Sequence, residues 1–339
     1  MNPQDIQEQI FAQIAHKTKP RKLSAVLGEV LNITASAAYR RISDNTLLSF
    51  DQLVILSRHF NIPLDPLMDA TAINFRLPSL ATKPKNIYEY LAQTEQGLKN
   101  LVQSPKRILR YMAVEMPFYY FLSFPHLAAF KFYMWGRTLW HSDRGAFASF
   151  NFGEYTQDKV LQSLTERIVA YNNQIATEEI WNDDMLNMTY KQIHYCQNAG
   201  LFESDEDVAI LLNDLKSLVT HLKSVAKAGQ KGGNDTATSI QIWDNEIFQN
   251  SMLILTEADE QKMIYTNIDV PNFMVSHDAA LYQVSLDFFN RVQSFSNDIT
   301  SVNEASRRDY FERLHKKTAI YEQGFKHKLV RQNGFAQVS

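Results

Sequence analysis

Apolar residues recur at helical spacing through the first seventy residues of the chain. A stripe over residues 3–18 predicts a first amphipathic helix, and a second stripe over 23–31 predicts another. Asn32 then ends the pattern, because asparagine tolerates the left-handed backbone of a tight turn. Thr34 can cap a third helix over 35–43, since its hydroxyl accepts backbone N–H bonds. The pattern therefore predicts two short helices separated by a three-residue turn.

A capping box marks the start of a fourth helix. Ser49 and Gln52 have the spacing at which each side chain bonds the backbone of the other, and an apolar stripe follows them. Pro63 and Pro66 then end or restart the helix. Residues 71–86 contain two further prolines and show no sustained periodicity, which is typical of an interdomain linker.

The remaining chain is predicted to be mostly helical. Residues 229–238 are rich in glycine and small polar residues and predict a flexible loop, whereas MLILT and KMIYT on either side of EADEQ predict a β-hairpin. The predicted helices are 87–103, 105–122, 125–141, 156–175, 177–198, 205–228, 240–248, 277–296 and 303–328. The predicted fold class is mainly α: an N-terminal domain of four to five helices (1–70), a linker (71–86) and a larger helical domain (87–330) with one β-hairpin.

Composition favours helices and a reducing compartment. The 11 glycines and 10 prolines among 339 residues are about half of average usage, and strand-rich folds need such residues for their turns. The single Cys196 excludes an intramolecular disulfide and a multi-cysteine metal site. The first ten residues lack the charged and then apolar layout of a signal peptide. The cytoplasm is the expected compartment.

Charge is distributed unevenly, although the formal net charge is only −3. Residues 16–42 carry six basic side chains and one acidic side chain, and residues 307–331 carry eight basic and three acidic ones. The segment 43–306 between them is acidic. We call residues 16–42 the basic head and residues 307–331 the basic tail. Because summed positive charge attracts polyanions, the basic head indicates an anionic partner. For the basic tail, a solvated helix face is the favoured explanation.

The second and third predicted helices have the spacing of a helix-turn-helix unit. Gly28 falls where the two helices cross and only a small side chain fits, and Ile33 can fill the core directly after the turn at Asn32. Ala38 and Ile42 point inward on the third helix. The small residues at the start of that helix allow it to approach base edges in the major groove of DNA.

Residues 27–44, LGEVLNITASAAYRRISD, resemble the helix-turn-helix of bacterial and phage DNA-binding regulators. The continuation over 48–68 is similar to the fourth and fifth helices of the lambda-repressor/Cro group, including the closing motif Leu64-Asp65-Pro66-Leu67. The resemblance covers about a fifth of the chain and implies a domain that binds double-stranded DNA.

Three positions in the unit depart from the pattern of that group. Gly28 stands where the group usually has alanine, Asn32 where it usually has glycine, and Ser24 where it often has a phosphate-binding glutamine. If the third helix enters the major groove, the base-proximal residues are Thr34, Ala35, Ser36 and Arg40. The residues placed to contact phosphates are Lys22, Ser24, Tyr39 and Arg41. The turn itself is formed by Gly28, Asn32 and Ile33.

Aromatic residues are concentrated in one part of the larger domain. Between residues 111 and 155, 15 of 45 residues are Phe, Tyr or Trp. A membrane span is disfavoured because two prolines, a histidine and a lysine interrupt the most apolar stretch. A buried helical core, an apolar effector pocket and a dimer interface remain open alternatives. The residues assigned to a pocket or interface are Phe118, Tyr119, Phe124, Phe132, Trp135 and Trp140.

The sequence gives only weak support for each candidate catalytic group. His194 and Cys196 are two residues apart and so face different ways on a helix, and His141-Ser142-Asp143 falls at a predicted helix end. The run from Glu178 to Asp184 is explained by a solvated acidic helix face. The sequence also lacks a Walker loop, a dinucleotide glycine fingerprint and an HExxH motif. We therefore predict no enzyme activity, cofactor or metal site.

Together these features predict a cytoplasmic, homodimeric transcriptional regulator. The N-terminal domain binds double-stranded DNA, and the larger domain serves dimerisation and the sensing of a small-molecule effector. The alternative is a protein-interaction scaffold whose helix-turn-helix head binds a protein partner instead of DNA. An enzyme tethered to DNA would require a pocket with convergent polar groups.

Overall fold

The computed structural model divides the chain into two compact units, residues 1–75 and 76–339. The division falls inside the predicted linker 71–86. The residues described are 2–43, 46–64, 67, 73, 75, 84–140, 149–232, 237–247, 252–269, 272–300 and 302–335. Most of the predicted linker, and Asp65 and Pro66 of the predicted closing motif, lie outside the described residues.

The first unit is helical. Its helices are α1 (Pro3–Lys17), α2 (Leu23–Leu31), α3 (Ala35–Ser43) and α4 (Phe50–Phe60). The capping box predicted at the start of α4 is present, because the Ser49 hydroxyl and the Gln52 side chain each bond the backbone of the other residue. Asn2 and Asp5 form a second capping box at the start of α1. The core consists of Ile10, Phe11, Ile14, Val26, Leu27, Leu31, Ala38, Leu56, Ile62 and Leu67.

The second unit combines helices with a sheet. Its helices are α5 (Ile87–Val102), α6 (Phe118–Leu122), α7 (Pro125–Leu139), α8 (Phe152–Thr156), α9 (Lys159–Asn172), α10 (Asn187–Asn198), α11 (Asp205–Ala228), α12 (Ala279–Ser294) and α13 (Glu304–Phe335). Its strands are β1 (Arg107–Ala113), β2 (Ala176–Trp181), β3 (Gln230–Lys231), β4 (Thr238–Asp244), β5 (Met252–Ala258), β6 (Gln261–Asp269), β7 (Asn272–Ser276) and β8 (Asn297–Asp298).

The eight strands form one mixed sheet in the order β3-β4-β2-β1-β5-β6-β7, with β8 paired to β4. β1, β2 and β4 are parallel, and helices connect them, as parallel neighbours require. β5, β6 and β7 form an antiparallel meander that joins the parallel part at β1. Tyr111 of β1 lies opposite Glu179 of β2 and Ile254 of β5.

Both faces of the sheet are covered by helices. We call the first the helix-rich face: Leu109, Tyr111 and Ile254 point to it and pack against α5, α7 and α9. Helices α10, α11 and α13 pack over its parallel strands. On the opposite face, residues such as Met112 and Leu255 pack against α12. The central strands are therefore buried on two sides.

The predicted mainly α fold with one β-hairpin is wrong, because the second unit contains this mixed eight-stranded sheet. The predicted helix 105–122 contains β1, the predicted helix 177–198 begins within β2, and 240–248 is largely β4. Strands covered on both faces do not alternate between apolar and polar residues, so their pattern does not distinguish them from buried helices.

Two other expectations fall in the same region. The predicted β-hairpin is confirmed as β5 and β6, but it is one part of the larger sheet. The predicted flexible loop 229–238 contains β3, which pairs with the start of β4. Residues 233–236 of that loop lie outside the described residues. No helix in the described part of the chain is long and apolar enough to cross a bilayer.

Candidate functional site

A left-handed residue forms the turn between α2 and α3. Asn32 has φ 52° and ψ 48°, as expected for the residue that ends a helix in this way. The Ile33 N–H then donates to the Gly28 carbonyl over 3.0 Å. A Cβ atom on Gly28 would lie 3.2 Å from the Ile33 carbonyl oxygen, which is tighter than ordinary contact. The three predicted turn residues thus act together to close α2 onto the start of α3.

Helix α3 has one buried side and one exposed side. Ala38 is fully buried in the core, and Ile42 packs partly against it. The Thr34 hydroxyl accepts the Ala37 N–H over 3.2 Å and so caps the helix. The exposed residues are Thr34, Ala35, Ser36, Tyr39 and Arg40. The structure therefore places all four residues predicted to lie near the bases on the exposed side.

Arg41, predicted to contact phosphate, is held within the unit. Its Nε donates to Gln52 Oε1 and its Nη1 to the Ala37 carbonyl oxygen, each over 3.1 Å. These bonds tie α3 to the beginning of α4. Of the other residues in the predicted phosphate set, Lys22 and Tyr39 are exposed and Ser24 is half-buried. Arg41 is thus a positioning residue for α3.

Gln7 was not identified from the sequence, although it holds the chain that follows α3. Its side chain is buried, and its Nε2 donates to the carbonyl oxygens of Arg41 and Thr46, each over 3.1 Å. Its Oε1 accepts the Leu48 N–H over 2.7 Å. A polar residue within the apolar stripe of α1 was the available signal, because a buried polar side chain needs partners.

Some basic side chains of the basic head form contacts within the first unit, and others remain available to an anionic partner. Arg21 pairs with Glu29, and this contact lowers the pKa of the Glu29 carboxyl. The Lys17 ammonium donates to the Phe60 carbonyl oxygen over 2.6 Å at the end of α4. Within the described part of the chain, neither Lys22 nor Arg40 forms an ion pair. The exposed side of α3 thus carries an uncompensated positive charge.

The second unit contains an apolar cavity of about 230 Å³ on the helix-rich face of the sheet. Phe118, Tyr119 and Trp135, three of the six residues assigned to a pocket or interface, line it together. The other three lie elsewhere. Phe132 and Phe124 pack in the core clusters, and the Trp140 Nε1 donates to the Pro84 carbonyl oxygen over 2.7 Å.

Two charged side chains line this cavity. Lys131 of α7 is only 6% exposed, and its Nζ donates to Gln192 Oε1 over 3.0 Å and lies 4.8 Å from the centre of the Phe121 ring. Burial lowers the pKa of Lys131, which the negative charge of Glu115 partly opposes. Glu115 itself is half-buried and lies just after β1. The lysine inside an apolar stretch was the sequence signal for this site.

A second cleft of about 450 Å³ adjoins the first. It lies between α5 and the strands β5, β6 and β7. The two cavities share the side chains of Tyr90, Phe118, Tyr119, Ile254 and Phe273. The aromatic residues between them thus form a common wall.

The predicted acidic helix face from Glu178 to Asp184 is wrong, because Glu178 and Glu179 lie on β2 and point to opposite faces of the sheet. Glu179 is buried and accepts hydrogen bonds from the Tyr120 hydroxyl (3.0 Å) and from the Trp181 Nε1 (2.8 Å). Burial raises the pKa of the Glu179 carboxyl. Glu178 instead pairs with Arg110.

Arg110 connects three elements on the opposite face of the sheet. Its Nε donates to Glu178 Oε2 over 2.6 Å, and its Nη1 donates to Glu257 Oε1 of β5 over 2.7 Å. The Tyr282 hydroxyl of α12 donates to the same Glu257 oxygen over 2.7 Å. Burial acts to raise the pKa of Glu257, but Tyr282 and Arg110 together lower it.

Part of the basic tail is also paired with acidic groups. The Lys317 Nζ donates to Asp183 Oδ1 over 2.6 Å and to Asp184 Oδ1 over 2.5 Å. Arg313 pairs with Asp183 and with the buried Asp244. These contacts fix α13 to the ends of β2 and β4, so both residues belong to the packing of the unit.

Cys196, one of the candidate catalytic groups, lies in the core of the second unit. The Cys196 thiol is buried beside the Met134 sulfur, and burial raises its pKa to about 11. A thiol with such a pKa is a poor nucleophile at neutral pH. His141, Ser142 and Asp143 lie outside the described residues. Among the residues that the structure describes, no three His, Cys, Asp or Glu side chains are arranged to hold a metal ion.

Comparison with known proteins adds no family to this description. No family model, curated protein or solved structure matches the chain. The function is therefore inferred from the geometry of the two units.

Proposed function

We propose that the protein is a sequence-specific DNA-binding transcriptional regulator that acts as a homodimer in the cytoplasm. The observation that carries this proposal is the presentation of α3. The helix is anchored through Ala38 and Arg41, while Ala35, Ser36 and Arg40 are exposed together on its outer side. A helix held in this way after a tight turn has the form of a recognition helix.

The chemistry of the exposed side suits double-stranded DNA. Ala35 and Ser36 are small, so the start of α3 can approach the base edges closely. Arg40 follows about one turn later and can make two hydrogen bonds to a guanine edge. Lys22 and Tyr39 are exposed nearby in sequence and supply contacts to phosphate, which fix the register of the protein on the duplex.

The proposed dimer follows from the small number of base contacts that one such helix makes. Two copies related by a two-fold axis add the binding energies of two half-sites. We assign dimerisation and effector sensing to the second unit, which contains the apolar cavity beside Lys131.

The test is selection of random duplex DNA by the full-length protein at about physiological salt. Arg40→Ala and Arg58→Ala are selected in parallel, because Arg58 carries the same charge on the exposed surface of α4. We expect the wild type and Arg58→Ala to enrich the same two-fold symmetric site. We expect Arg40→Ala to lose the preference for one base at one or more positions of each half-site. The binding free energy that distinguishes the preferred base from the others should fall there by about 1–3 kcal/mol.

A different result would favour the scaffold. If no sequence is enriched and Arg40→Ala binds DNA as the wild type does, the first unit (residues 1–75, the small unit) does not recognise DNA sequence. Its exposed α3 surface would then serve a protein partner.

A further inference from the structure

We propose that the cavity beside Lys131 binds an α-amino acid with an apolar or aromatic side chain. Lys131 and Glu115 carry opposite charges and line the same cavity. Within the part of the chain that the structure describes, neither side chain forms an ion pair. Most of the remaining lining residues are aromatic residues and methionines. A zwitterion with an apolar body complements all three properties.

The Lys131 ammonium provides the place for the carboxylate. The side chain is 6% exposed, and a buried charge is costly unless a group of opposite charge accompanies it. An ammonium has three N–H donors. Gln192 accepts one of them, and the Phe121 ring lies 4.8 Å away on another side. A ligand carboxylate would add an anion in direct hydrogen-bond contact with the ammonium, in addition to the more distant charge of Glu115.

Glu115 provides the place for the amine. Its backbone is fixed, because its carbonyl oxygen accepts a hydrogen bond from the Tyr111 hydroxyl over 3.0 Å. Its carboxylate would repel a ligand that carried only a carboxylate, but it would attract an ammonium group. A molecule with both charges is therefore favoured over a simple carboxylic acid or a simple amine.

The aromatic walls set the size and polarity of the rest of the ligand. Trp135 meets the Tyr90 ring edge-on at 5.6 Å and the Phe118 ring edge-on at 6.0 Å. Such contacts fix the walls of a pocket. The cavity volume of about 230 Å³ lies below the range of about 300–1,000 Å³ that is typical of drug-sized ligands. A single amino acid is the appropriate size class.

The first measurement is calorimetry on the full-length protein without DNA. L-phenylalanine, L-tryptophan and L-leucine are the amino-acid probes, and 3-phenylpropionate and phenethylamine each lack one charge of L-phenylalanine. We expect at least one amino acid to bind. We expect an analogue that lacks one charge to bind about tenfold more weakly or worse, since a hydrogen bond to a charged group is lost.

The second measurement uses variants with matched controls. Lys131→Met and Glu115→Gln each remove one charge from the cavity, whereas Lys191→Met and Glu206→Gln remove the same charges from the exposed surfaces of α10 and α11. We expect affinity to fall about tenfold or more in the cavity variants and to remain unchanged in the controls. Thermal unfolding without ligand shows whether each variant folds.

Three results would each contradict the proposed amino-acid site. The proposal is overturned if none of the three amino acids binds, if 3-phenylpropionate binds as tightly as L-phenylalanine, or if both cavity variants retain wild-type affinity. If Lys131→Met does not fold, Glu115→Gln and the analogue series still decide.

Ligand binding depends on the cavity alone; only an effect of the ligand on DNA affinity rests on the proposed function. Amino-acid binding by a protein that selects no DNA sequence, either with or without the bound amino acid, would overturn the proposed regulator but would support this binding site. Selection of a DNA site without amino-acid binding would do the reverse.

Discussion

A single buried glutamine connects three parts of the small unit. Gln7 bonds the backbone at the end of α3 and in the segment that leads to α4. An apolar side chain of similar size would leave the Leu48 N–H and two carbonyl oxygens without these partners. Because α3 carries the proposed reading surface, Gln7 is expected to affect DNA binding from a distance.

We predict that Gln7→Leu lowers the free energy of unfolding of the small unit by about 1–3 kcal/mol. It should also weaken DNA binding, although Gln7 is not on the exposed side of α3. Hydrogen exchange at the α3 amides of the full-length protein measures the first effect, and titration with the selected DNA measures the second. Gln13→Leu, which changes an exposed glutamine on the same helix, is the control. Equal exchange in the two variants would contradict the prediction.

The sequence predicted which residues of α3 are exposed better than it predicted what each residue does. The exposed positions of α3 follow from its helical period, so Thr34, Ala35, Ser36 and Arg40 are placed as expected. The role of Arg41 depends on Gln52, eleven residues away on another helix. Periodicity within one helix contains no information about such a partner. Lys131 was visible only as an interruption of an apolar stretch.

At the scale of elements, Arg110 joins β1, β2, β5 and α12 through ionic hydrogen bonds. The lowered pKa of Glu257 means that this group adds stability above its unfolded-state pKa, and that this stability is lost as the pH falls through the folded-state pKa. The loss is therefore expected in the acidic range.

We predict that Arg110→Met lowers the free energy of unfolding at pH 7 by roughly 2 kcal/mol, since it leaves two half-buried carboxylates without their cation. The variant should then lose less stability than the wild type as the pH falls from about 5 to about 3. Urea unfolding across this range is the measurement. Arg291→Met on the exposed surface of α12 is the control. An unchanged pH dependence in Arg110→Met would refute the assignment.

Helices and strands differed in how well their sequences identified them. The helices of the small unit each have one apolar side, and their bounds lie close to those predicted. β5 and β6 were identified because two β-like segments flank a short polar turn. β1 and β2 were assigned to helices, because RILRYMA and ATEEIW contribute buried residues to both faces of the sheet. Their charged residues find partners on other strands and helices, which a local pattern cannot reveal.

At the scale of the whole molecule, we predict that the full-length protein is a dimer at the concentrations at which it binds DNA. Sedimentation equilibrium should give the mass of two 39.1 kDa chains. The selected DNA should contain two half-sites whose centres are about 34 Å apart, or a multiple of that distance. Deleting one half-site should weaken binding strongly. A monomer that binds one half-site as tightly as two would contradict the prediction.

β1 lies in the middle of the sheet, yet both of its neighbours come later in the chain. β2 begins at Ala176 and β5 at Met252, so the ribosome must complete most of the large unit before β1 has partners on both sides. Unpaired strand edges attract other extended chains. A nascent chain that stalls before Met252 is therefore exposed to aggregation. The rate of translation through this stretch therefore sets how long the edges of β1 stay unpaired.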